Sequence, residues 1–122
     1  MKVLTIRQPW ATLIMQQDKR FEFRSWKTEY RGELLIHAGK MMDKEAVERL
    51  RKYLPQELPV GKILGQAILA NCFICDQTLK ENLRKENKDI YAKSMFKEKF
   101  AWQLQKIKVF RNPIEIKGKL GL

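Results

Sequence analysis

The sequence predicts an α+β fold: a small, mixed β-barrel with helices covering the barrel openings. Segments of strand character recur along the chain, and the few helical segments between them do not alternate regularly with strands, as a doubly wound parallel sheet would require. With 122 residues the chain has the usual size of one compact unit, so residues 1–122 are expected to form a single domain. Hydrophobic residues make up 44% and charged residues 32%, enough to bury a core beneath a heavily solvated surface and too apolar for a disordered chain.

The first strand is read at KVLTIR, residues 2–7, where Val3 and Thr5 face one side and Leu4 and Ile6 the other. Pro9 suits a first helical turn because its missing N–H would be unpaired there anyway. Trp10, Leu13 and Ile14 keep i, i+3, i+4 spacing, so residues 9–17 read as a short amphipathic helix with Trp10 in the core rather than on a ligand. Phe21 and Phe23 then alternate with Glu22 and Arg24, which makes KRFEFR an extended segment with an aromatic face and an ionic face. The near-continuous apolar run ELLIHA, residues 33–38, reads as a central strand, and its single histidine, His37, as a core residue.

Asp43 is placed to cap a scaffold helix in which Val47, Leu50 and Leu54 form one stripe. After Pro55, Pro59 and Gly61 the run KILGQAILANCFIC is long enough for a bent strand, with Gly65 marking a bulge or corner. Residues 76–99 are polar and poor in apolar anchors, which reads as a short helix or a mobile excursion. Strand character resumes over residues 100–110, with a shift of alternation between Leu104 and Ile107, and a last short strand is read at residues 114–116 before a tail marked by Gly118 and Gly121.

The net charge is +11, and the excess is terminal: residues 1–31 carry seven Lys/Arg against three Asp/Glu, and residues 99–122 carry six against one. If the two ends meet in the fold they form one basic face, the footprint of a phosphate-rich partner; charge that only keeps the protein soluble is the plainer explanation. The N-terminus lacks a long apolar segment, and no apolar run approaches the ~18 residues that cross a bilayer, so a cytoplasmic protein with no membrane partner is expected. Cys72 and Cys75 form a C-x-x-C without the second pair that a four-ligand zinc site needs, and they are read as buried strand-end thiols. No metal and no cofactor are expected.

Chemistry concentrates in residues 7–40. Lys19, Glu22 and Arg24 fall within six residues, and Ser25, Trp26, Tyr30 and Arg31 follow closely, so charged heads and flat apolar faces can converge on one cleft. An ion pair on the surface would account for the triad without any function.

The runs IRQPWATLI, DKRFEFRSW, YRGELLIHAGK, KFAWQL and IKGKLGL together resemble the ASCH domain of the PUA-like superfamily of small β-barrels. The family signature is written G-x-K-x-x-E-x-R; Lys19, Glu22 and Arg24 match it, while Gln17 stands where the glycine would be, at a turn where glycine reaches backbone angles that glutamine resists. The resemblance implies a cleft beside the barrel into which these residues project, and a role in binding RNA or modified nucleobases. One bacterial branch of the family hydrolyses the acetyl amide of acetylcytidine with a lysine base and a threonine nucleophile; Lys19 matches that lysine, and Glu22 stands at the threonine's position. The first expectation is therefore a binding module for RNA or a modified nucleoside, with Lys19, Glu22, Arg24, Ser25, Trp26, Tyr30 and Arg31 as ligand contacts. The alternatives are a hydrolase acting on a modified nucleoside or on RNA, with Lys19 as base and Glu22 as its partner, and a protein-interaction module in which the triad only pins the loop.

Overall fold

The computed structural model describes residues 2–93 and 96–116. In chain order they form β1 (Lys2–Gln8), α1 (Trp10–Met15), β2 (Phe21–Arg24), β3 (Gly32–Met42), α2 (Lys44–Arg49), β4 (Lys62–Ile74), α3 (Gln77–Glu86) and β5 (Phe100–Glu115). The five strands make one mixed sheet in the order β1-β3-β4-β5-β2, with β1 parallel to β3 and the other pairings antiparallel.

The α+β class is as expected, but the closed barrel is corrected to an open sheet. β1 and β2 lie at its two edges, and no pairing joins them among the described residues. β2 is only four residues long, and all four pair with Phe100–Gln103 of β5, which leaves its other edge free of a strand. A side chain spans the gap instead: Arg24 Nη2 donates to the Thr5 carbonyl of β1 at 2.6 Å.

Alternation in β1 and β3 turns Leu4, Ile6, Leu34 and Ile36 inward, where they meet Ile14 of α1, Leu69 of β4 and the fully buried Trp102 of β5. A second cluster gathers Leu13, Phe21, Phe23, Leu50, Leu83, Ile90 and Tyr91. α1 is a wedge between the two, with Ile14 in one and Leu13 in the other, because consecutive helical residues diverge by ~100°. Its start is fixed from β1 by the fully buried Gln8, whose Oε1 accepts from Thr12 N at 2.9 Å and whose Nε2 donates to Thr12 Oγ1 and the Pro59 carbonyl, both at 2.8 Å.

Of the two readings left open for the polar stretch 76–99, the short helix is the one found, and two further expectations change. Asp76 caps α3 by accepting from Leu79 N, and Leu83, Ile90 and Tyr91 anchor the segment in the second cluster. Between Leu83 and the adjacent Ile90 and Tyr91 the chain runs through Arg84 to Asp89, all charged or polar, which is why a window average reads as polar. The two final strands are one, β5, and Lys106 with φ 50 produces the shift of alternation seen in the sequence. β1 and β5 are kept apart by β3 and β4, so the described ends of the chain do not adjoin as neighbouring strands; among the described residues of the basic N-terminal region, residues 21–24 are the ones that pair with β5 as a strand. The expected tail glycines, Gly118 and Gly121, lie outside the described residues.

Other expectations stand. Asp43 caps α2 by accepting from Ala46 N at 3.1 Å, and Gly65 sits at a register shift where a Cβ would clash with the Lys108 carbonyl oxygen. The expectation of two buried strand-end thiols holds for Cys75, buried just beyond β4, and is corrected for Cys72, which lies half-buried within the strand; both are free thiols.

Candidate functional site

A cleft of about 630 Å³ opens between the two edge strands, with Thr5 and Arg7 of β1 on one wall and Glu22, Phe23 and Arg24 of β2 on the other. Its floor begins at the end of α1. Gln17 N donates to the Ile14 carbonyl and Asp18 N to the Leu13 carbonyl, both at 3.0 Å, closing the helix with Gln17 at φ 67. This double closure is the one that glycine usually serves. Glutamine therefore holds the left-handed angle itself, and the chain reverses so that the next side chain but one, Lys19, points back beneath the helix.

Lys19 is 1% exposed. Its Nζ donates to Glu22 Oε1 at 3.2 Å and lies 5.4 Å from the ring centroid of Trp10 and 5.1 Å from that of Phe23. Burial is the main influence on this amine and pulls its pKa below the ordinary lysine value; Glu22 opposes that and Arg24 adds to it. The other carboxylate oxygen, Glu22 Oε2, accepts from Arg24 Nε at 3.1 Å, so one carboxylate holds two cations. Arg24 is oriented on both sides, by Glu22 and by the Thr5 carbonyl, and no described residue accepts from its Nη1 group. A guanidinium carries five N–H donors, so the free end of this fork is available to a bound molecule.

Trp26 stands at the rim, 44% exposed, edge-on to Trp102 with centroids 5.6 Å apart, and the Arg24 guanidinium lies 5.5 Å from its centroid. Its backbone is held by Trp102 Nε1, which donates to the Trp26 carbonyl at 3.2 Å. Ser25 also lines the cleft. The structure thus brings Lys19, Glu22, Arg24, Ser25 and Trp26 together, as the sequence suggested.

Tyr30 and Arg31 are not among the residues lining this cleft. Tyr30 donates its hydroxyl to the Glu33 carbonyl at 2.6 Å, and Arg31 donates to the carbonyls of Thr28 and Tyr30. Both serve the turn into β3, whose Gly32 has φ 132. Trp10 departs from expectation the other way: it packs against both core clusters and also forms part of the cleft wall. His37 is buried, with Nδ1 3.1 Å from Thr5 Oγ1, and burial pushes its pKa down.

Sequence proximity gave no sign of the rest of the wall. Arg7 faces the cleft from β1, Lys40 from a β3 segment that carries extra residues opposite it, and Lys97 and Glu98 from the approach to β5. Only the pairing of β1 with β3, and the docking of the segment after α3, bring these positions to one opening. Among the described residues no group of three or more His, Cys, Asp or Glu side chains is arranged to hold a metal ion, and no helix is long and apolar enough to cross a membrane.

An open mixed sheet with an ionic cleft at its edge-strand gap defines a small α+β binding or catalytic fold. The chain belongs to the ASCH domain family, whose model matches residues 4–115. It is 36% identical over 80 residues to activating signal cointegrator 1 of Mus musculus, an alignment covering 57% of this chain and 14% of that protein. The Homo sapiens protein of the same name is 35% identical with the same coverage, so the chain corresponds to a small part of either relative's length. Among solved structures, a tyrosine-to-phenylalanine variant of the ASCH protein from Zymomonas mobilis superposes with a TM-score of 0.62 at 20% identity, covering 93% of this chain and 74% of that one. The unsubstituted protein gives 0.60 at 17% identity, covering 93% and 72%. These two likenesses establish the fold.

Proposed function

We propose that this ASCH domain binds an unpaired or modified nucleobase, carried by RNA or as a nucleoside, in the cleft between β1 and β2. The observation that carries the reading is the join of a partly buried, doubly anchored Glu22–Arg24 pair to a half-exposed indole. Arg24 offers the Nη1 donors to acceptors on a base edge, and Trp26 offers a flat face for the ring. The cleft volume lies within the ~300–1,000 Å³ range of small-ligand sites.

Trp26→Ala is expected to weaken binding of short single-stranded RNAs or modified nucleosides by about 1–3 kcal/mol, while Trp26→Phe keeps most of the affinity. Calorimetric titration of both variants checks this; undiminished binding by Trp26→Ala removes the stacking role.

One observation favours a second reading, a hydrolase acting on an amide of a modified nucleoside: the lowered pKa of Lys19 is the property an amine base needs. Glu22 orients the amine and is a poor replacement for a hydroxyl nucleophile, so the reaction would employ water or one of the hydroxyls lining the cleft, Thr5 or Ser25. In this reading acetylcytidine is turned over at a rate that rises with pH as Lys19 loses its proton, and Lys19→Ala abolishes the reaction. Turnover unchanged in that variant rejects Lys19 as the base.

A further inference from the structure

All but one of the acidic groups lining the cleft are already engaged, whereas three of its cations make no ion pair among the described residues. Glu22 binds Lys19 and Arg24, Asp43 accepts from the first turn of α2, and Glu45 pairs with Arg49 at 3.3 Å. Glu98 is the one remaining carboxylate among the residues lining the cleft. Arg7, Lys40 and Lys97 line the cleft as well, all exposed, and none makes an ion pair among the described residues.

Two of the three sit on the rigid sheet, side by side. β1 and β3 run parallel with Ile6 opposite Ala38 and Gln8 opposite Met42, so Arg7 faces the two-residue-longer stretch of β3 that contains Lys40. The position a Cβ would take on Gly61 lies only 3.9 Å from Lys40 Cε, so the lysine stem rests on the loop before β4. A guanidinium and an ammonium at adjacent strand positions, without a carboxylate between them, match an anion that presents several acceptor oxygens.

We infer that Arg7 and Lys40 form a phosphate subsite at the mouth of the cleft, so that the cleft takes a phosphorylated nucleotide in preference to the bare nucleoside. The inference rests on the nucleobase reading of the floor and adds the chemistry of the rest of the ligand: base on Arg24 and Trp26, phosphate on the β1–β3 edge. The phosphate belongs either to a free mononucleotide or to an RNA chain, and the two sources separate by experiment.

The test is titration of the full chain with the four ribonucleosides, their 5′- and 3′-monophosphates, and short single-stranded RNAs, at low and at physiological salt. A monophosphate is expected to bind about tenfold or more tightly than its nucleoside, as two charge-assisted contacts allow. Arg7→Gln with Lys40→Gln removes that advantage and leaves nucleoside affinity unchanged; both residues are exposed, and an unchanged melting temperature verifies the fold. Tight binding of monophosphates assigns the subsite to free nucleotides, and a preference shown only by the RNAs assigns it to a chain. Equal affinity for nucleosides and all phosphorylated probes, or a phosphate preference that survives the double substitution, overturns the subsite while the nucleobase reading stands. No binding by any probe overturns both.

Discussion

Lys19 and Arg20 are consecutive cations with opposite environments. Lys19 is swallowed beneath α1 and bonded to Glu22, with its pKa drawn down by burial. Arg20 lies about half exposed on the far side, bonded to Glu86 of α3 by Nε at 3.1 Å, and its pKa is raised by that bond. Both are salt bridges, yet they answer to different physics. An exposed pair gains little because water already solvates each charge, whereas a buried pair is held by the desolvation that either partner would suffer alone. One step along the backbone therefore separates an ion held by burial from an ion that fastens a helix.

The strongest way to break the comparison is Glu22→Ala. It leaves Lys19 buried without its carboxylate, and the loss in unfolding free energy is expected at about 3 kcal/mol, read by urea denaturation, with the pKa of Lys19 falling further. A smaller effect is expected on the Arg20 side from Tyr91→Phe, about 1–2 kcal/mol, because the Tyr91 hydroxyl accepts from Arg20 N at 2.8 Å and that N–H would lose its partner. The same phenol gives a pH signature. Its pKa is pushed up to about 12 from 10.0, mainly by burial, so above pH 10 the unfolded chain has released a proton that the folded chain still holds. The folded state then binds more protons, and stability falls as pH rises from 10 to about 12. In Tyr91→Phe that part of the alkaline decline should vanish, as a denaturation series across that range would show. Least is expected from Glu86→Ala, about 0–1 kcal/mol and weaker still at high salt. A loss as large as that of Glu22→Ala would abolish the distinction between the two pairs.

Local pattern carried much of this molecule. Period-two alternation placed β1 and the ionic and aromatic faces of β2, and the spacing of Lys19, Glu22 and Arg24 identified the floor of the cleft. What local pattern missed depends on contacts between distant segments. Tyr30 and Arg31 are near the triad in sequence, but Gly32 turns the chain away into β3, and their donors satisfy that turn. Arg7 and Lys40 are 33 positions apart and come to the same cleft through a parallel pairing that no turn signal announces. The barrel expected from the succession of strands failed for a similar reason: counting strands says nothing about whether the last edge is long enough to reach the first.

That unfinished edge has a consequence for how the domain would respond to a ligand. Among the described residues one side-chain hydrogen bond crosses the seam between β1 and β2, that of Arg24, which grips Glu22 on its own strand and the Thr5 carbonyl across the opening. A molecule that accepts from the idle Nη1 leaves both grips in place and adds a stitch. One that competes for Nη2 unfastens the seam. The same arginine therefore makes ligand geometry legible as stiffness, with the separation of β1 from β2 as the gauge.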